Sequence, residues 1–97
     1  MNNFARSVGR VLRRERERNR LTLRDVQRRS AGMFTASGVG GYERGERAVS
    51  VERFCRLAAL YGARADVLLA EILGVRDKDA GARVDITDKT LGANRLG

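Results

Sequence analysis

The chain has 97 residues, of which twenty are basic and twelve acidic, giving a net charge of +8 with no histidine. A domain this short buries only about 60% of its unfolded surface, so its core must be small and built from local contacts. A lone cysteine, Cys55, excludes an internal disulfide, and without histidine a zinc site lacks ligands.

The charge is unevenly placed. Residues 1–30 hold ten arginines against Glu15, Glu17 and Asp25, residues 31–62 are near balance, and residues 63–97 carry six of each sign. A GC-rich genome alone would favour eighteen arginines over two lysines. The concentration of charge beside the motif described below decides instead for a polyanionic partner.

Phe4, Val8, Val11 and Leu12 recur at helical spacing and predict a basic amphipathic helix over residues 4–18, with those four facing inward. Thr22 can cap a second helix whose Leu23 and Val26 face the core. Gly32 interrupts the chain, and Thr35 can cap a third helix over residues 36–44, with Val39 and Tyr42 on its buried side. Gly45 suits the left-handed position that ends it. Three glycines at 38, 40 and 41 weaken this helix by up to about 1 kcal/mol each, so a glycine-rich loop is the alternative, and a helix here would be ordered by its partner.

Ser50 can cap a fourth helix with one stripe of Val51, Phe54, Leu57, Ala58 and Tyr61, ended by Gly62. Tyr42 and Phe54 lie on apolar stripes and belong to the core, with Cys55 beside them as a small semi-buried filler. Met33 and Phe34 either plug the core or present an apolar tip. A fifth helix near residues 66–73 carries Val67, Leu68, Leu69, Ile72 and Leu73, more apolar surface than one face needs. From Gly74 charges and glycines mix, with a brief alternation at Val84 and Ile86, which predicts a flexible tail with one short extended segment.

Two short helices with a glycine-bearing turn form the outline of a helix-turn-helix. Val26 to Ser30 followed by Gly32, then Gly40 to Gly45 (GGYERG), Arg47-Ala48-Val49, and Leu57-Ala58 through Tyr61-Gly62 resemble the phage-repressor class, the Cro or Xre family. The likeness runs from about Val8 to Leu69. The usual family pattern places the closing glutamate two residues nearer the first helix than Glu43; the longer turn at Ala31 to Phe34 is similar to that of actinobacterial developmental regulators. Glu15 stands where the family commonly has an apolar residue, and Arg20 where glycine commonly ends the first helix.

The resemblance implies an all-α, five-helix, lambda-repressor-like DNA-binding domain over residues 1–74 and a C-terminal tail over 75–97. It implies that the second helix of the motif enters the major groove, N-terminal end first, while the first crosses the phosphates. The base-facing residues are then Thr35, Ala36, Ser37, Gly40 and Gly41; the phosphate-facing ones are Thr22 with the amides beside it, Arg24, Arg44 and Arg47. Arg44 and Arg47 could each reach a guanine edge instead. Glu43 is expected to bridge to Arg16. In that branch of the family a ligand-sensing domain follows a linker, and Arg83-Val84-Asp85 has the Arg-x-Asp form of its cyclic-dinucleotide element; three residues are read as coincidence, and no cofactor is expected.

Nothing supports catalysis: there is no histidine base, no G-x-x-x-x-G-K loop and no metal-ligand cluster. No stretch of 18 apolar residues and no signal-peptide core occurs, which predicts a cytoplasmic, nucleoid-associated protein. Two functions are compatible with the chain. One is a transcription regulator, expected to be a repressor, bound to double-stranded DNA as a homodimer. The other is an antitoxin-like or regulator-binding module that grips a protein partner through residues 66–97.

Overall fold

The computed structural model describes residues 3–75, and these form five helices. They are α1 (Asn3–Arg18), α2 (Leu23–Arg29), α3 (Ala36–Glu43), α4 (Val51–Leu60) and α5 (Ala65–Leu73). Among the described residues there is no strand. The expected tail beyond residue 75, with Arg83-Val84-Asp85 and Ile86, lies outside them.

Helix starts follow the side chains that can satisfy free amides. Thr22, Thr35 and Ser50 each accept from the backbone N–H three residues on, at Asp25, Gly38 and Arg53. Helix ends follow residues that reach positive φ. Gly45, Gly62 and Gly74 do so without a Cβ penalty, whereas Arg20 takes φ 56° at the end of α1 and carries that penalty.

The centre is made by Leu12, Val26, Val39 and Leu57, one each from α1 to α4 and all fully buried. Phe34, Tyr42, Phe54, Ala58, Tyr61 and Leu68 close around them. Each large side chain removed from water in this way contributes about 1.5–3 kcal/mol. α1 packs on α3, α4 and α5, which makes it the spine of the domain.

The α1–α3 crossing is set by Gly9. A Cβ there would stand 2.4 Å from the carbonyl oxygens of both Tyr42 and Glu43, so only a bare backbone admits the approach. Beside it, Arg16 grips Glu43 through Nε at 2.7 Å and Nη2 at 2.9 Å, and its Nη1 donates to the Leu21 carbonyl. The expected Glu43–Arg16 bridge is therefore present, and the pair is nearly buried.

The last turn of α1 tolerates Glu15 because its carboxylate is paired. Arg14 and Arg18 approach it at 2.8 and 3.3 Å, while Asn19 Nδ2 donates to the carbonyls of Glu15 and Tyr61. Arg14 also grips Glu71, fastening α5 to α1.

Three expected positions are corrected. Phe4 is 49% exposed because the first turn of α1 runs past the core edge, beside Arg47, Ala48 and Val49. Val51 is 74% exposed, since α4 meets the core only from Phe54 onward. Cys55 is exposed rather than semi-buried, one residue round the helix from Phe54 and off its inward face.

Candidate nucleic-acid interface

α2, its turn and α3 form the motif. Thr22 and Asp25 make a reciprocal capping box: the Asp25 N–H donates to Thr22 Oγ1 at 3.0 Å, and the Thr22 N–H donates to Asp25 Oδ2 at 2.8 Å. The Thr22 N–H first, and the Thr22 side chain second, hold the Asp25 carboxyl below its ordinary range. Part of the α2 start expected to anchor a phosphate is thus occupied by a carboxylate.

The long turn needs two successive left-handed residues, Ala31 at φ 53° and Gly32 at φ 83°. Ser30 spans it, its Oγ accepting from the Phe34 N–H at 3.0 Å and donating to the Gln27 carbonyl at 3.1 Å. Phe34 folds into the core, and Met33 remains half exposed. The pair thus divides between plug and tip. Gln27 then fixes α2 to α3 by accepting from the Ala36 N–H at 2.8 Å, a contact that no sequence pattern announced.

α3 is a helix despite its glycines, ending at Glu43 with Arg44 as its cap. Thr35, Ala36 and Ser37 line one cleft with Arg24, Gln27 and Arg28 of α2. Those three expected base-facing residues and Arg24 therefore meet on one surface. On the other flank, Arg47 and Arg53 border a concavity with Phe34 and Tyr42 in its wall. The guanidinium carbons of Arg47 and Arg53 stand 5.8 and 5.3 Å from the Tyr42 and Phe34 ring centroids. Arg53 was missed in the sequence because only the fold carries the start of α4 to the motif.

Gly40 and Gly41 are buried rather than open to a groove. Arg44 covers the first, and the aliphatic stem of Arg47 covers the second, where a Cβ would stand 3.0 Å from Arg47 Cδ. Side chains that follow α3 lie back over it.

Charge is also redistributed. Arg13, Arg14, Arg16 and Arg18 of α1 are each paired with a carboxylate. Among the described residues, Arg24, Arg29, Arg47 and Arg53 around the motif carry no ion pair. Arg6, Arg10 and Arg20 likewise carry none among the described residues, so uncompensated guanidiniums flank α2 and α3 as well as α1. No group of acidic, cysteine or histidine side chains among the described residues could hold a metal, and none of their helices is long and apolar enough to cross a membrane.

Two helices joined by a turn, braced by three further helices and ringed by free arginines, define a helix-turn-helix domain. The profile of a helix-turn-helix domain family matches residues 7–72, and the chain belongs to that family. Among solved structures it is similar to the S. venezulae BldD DNA-binding domain, at 40% identity and a TM-score of 0.65, covering 69% of this chain and 97% of that one. A crystal structure of the DNA-binding domain of BldD is similar at 40% identity and a TM-score of 0.66, covering 70% and 96%. None of the curated proteins compared matches the chain. The expected repressor-like fold and its developmental-regulator branch agree with these likenesses.

Proposed function

We propose that this protein is a sequence-specific DNA-binding transcriptional regulator that acts without catalysis, as a repressor occupying its operator. The observation that carries the reading is the unpaired Arg24, Arg47 and Arg53 bordering the clefts on either side of the exposed start of α3. The similarity to the BldD DNA-binding domain supports it.

The N-terminal end of α3 enters the major groove. Ser37 donates to or accepts from base edges, Ala36 offers its methyl to thymine, and Thr35 stands at the mouth. Arg24, Arg47 and the Thr22 hydroxyl hold phosphates on either side. Residues 1–74 are the binding unit, and two copies bind a partly palindromic site, with α5 and residues 75–97 as the subunit contact. The protein resides with the nucleoid in the cytoplasm. A second reading, a module that grips a protein partner through α5 and the residues after it, is favoured by one observation: Val67 and Leu73 are 53% and 63% exposed.

Selection of bound sites from random duplex DNA tests the first reading. A dyad motif preferred by ~10³ or more over a scrambled duplex is the expected outcome. Weak binding to every duplex alike would overturn operator reading and turn the search to a protein partner. On the preferred site, Ser37→Ala is expected to relax preference at one or two positions, and Arg47→Ala to weaken all duplexes equally; a selective loss from Arg47→Ala would reverse their roles.

A further inference from the structure

α3 holds three glycines within eight residues, each about 0.5–1 kcal/mol less favourable than alanine inside a helix. At Gly40 the bare backbone has a specific use. Arg44 lies four residues on, and a helical side chain leans back over the turn before its own Cα. The Arg44 guanidinium accordingly rests on Gly40: a Cβ there would stand 2.9 Å from Arg44 Nη1 and 3.7 Å from its Cζ. Glu46 steadies it from the far side, 3.1 Å from Nε, in a pair open to solvent. The other neighbour, Leu23 Cδ1 at 3.5 Å, is in ordinary contact range. Only the tip of Arg44 stands against an alanine at position 40.

Ala36, Gly40 and Arg44 follow one another at intervals of four along the same face. Ala36 is short and Gly40 has no side chain. Arg44 is the long group on that row, and its guanidinium is drawn back toward the middle of the helix.

We propose that Arg44 reads a base edge from its seat on Gly40, and that Gly40 is a positioning residue setting specificity through Arg44. This rests on the DNA-binding reading above. Arginine pairs most often with guanine O6 and N7 through two parallel bonds, so the base pair read by Arg44 is a G·C pair next to those faced by Ala36 and Ser37. Arg47, pinned by its stem on Gly41 and its head over Tyr42, stays with the phosphates.

The test uses the full chain as wild type, Gly40→Ala, Arg44→Ala, Arg44→Lys and the Gly40→Ala/Arg44→Ala double variant. Each is titrated on the selected duplex, on copies with each base pair replaced in turn, and on a scrambled duplex, after thermal melting. Gly40→Ala is expected to melt no lower than wild type, because only a flexible tip must yield. It and Arg44→Ala should each lose about tenfold discrimination at one and the same G·C pair, with no further loss in the double variant. Arg44→Lys keeps the charge and should lose that discrimination while retaining the wild-type affinity for the scrambled duplex. Retained discrimination in Gly40→Ala or Arg44→Lys, or an equal loss on all duplexes from Arg44→Ala, would overturn the assignment. A wild type without any preferred duplex would overturn the DNA-reading function itself; a preferred duplex unchanged by these variants would overturn only the role of Arg44 and Gly40.

Discussion

Arg20 and Tyr61 show how single residues depart from what their positions ask. Arg20 ends α1 at φ 56°, a backbone region that costs a side-chain-bearing residue about 1–2 kcal/mol. Arg20→Gly is therefore expected to stabilise the domain by about 1 kcal/mol, visible as a melting point several degrees higher. Tyr61 buries its hydroxyl without a hydrogen-bond partner, and burial pushes its pKa well above the ordinary tyrosine range. Tyr61→Phe removes that orphan and keeps the ring. Chemical denaturation should show no loss, or a gain of up to about 1 kcal/mol; a loss beyond about 1 kcal/mol would mean that the hydroxyl is satisfied in solution. The family departure at Arg20 was legible in the sequence. The Tyr61 orphan was not, because satisfaction of a hydroxyl depends on the neighbours that other elements deliver, here Arg16 of α1 and Glu43 of α3.

At the scale of elements, the α1–α3 crossing is the joint on which the interface depends. Gly9 read as an unremarked residue within a helix, since helical periodicity marks where apolar side chains recur and says nothing of where two backbones touch. Gly9→Ala should gain a little helix propensity yet destabilise by about 2–3 kcal/mol, because the clash is with two backbone carbonyls that cannot step aside. Thermal melting would measure the loss, and an unchanged melting point would mean that the helices cross further apart. The caps at Thr22, Thr35 and Ser50 were legible, being local chemistry between a hydroxyl and an amide three residues away. The faces of α1 and α4 were legible in their middles and wrong at Phe4 and Val51, where periodicity continues past the edge of the core.

For the molecule as a whole, charge sets two expectations. Glu71 is held below the ordinary glutamate value of 4.5, first by its hydrogen bonds from Arg14 and then by that residue's charge. The α1–α5 bond should thus contribute fully above pH 4.5 and be lost as pH falls through the lowered value of the folded state. Glu71→Gln is expected to flatten that part of the acid limb while costing less than about 1 kcal/mol at neutral pH, since both partners are exposed to solvent. An acid limb identical to wild type would show that α5 is held by Leu68 and its apolar neighbours alone. The second expectation concerns the unpaired guanidiniums. With about five phosphates neutralised per protomer, log affinity should fall with log salt at a slope of about −4 to −5, and Arg47→Ala should reduce it by about 1. A slope unchanged by Arg47→Ala would place that side chain away from phosphate.

The sequence by itself determined the number of helices, their caps, the motif and the family, because each is written in neighbouring residues through hydrogen-bond reach and apolar spacing. It also placed Thr35, Ala36 and Ser37 at the start of α3, where the structure finds them together beside Arg24. Only the tertiary structure decided that Glu71 neutralises Arg14, 57 positions away, although the Glu43–Arg16 bridge was expected. It alone showed that Gly40 and Gly41 lie beneath Arg44 and Arg47, and that Arg53 borders the same face. The physical reason is the same in each case. Long, flexible side chains cross between elements, and where they come to rest follows from packing rather than from their place in the chain.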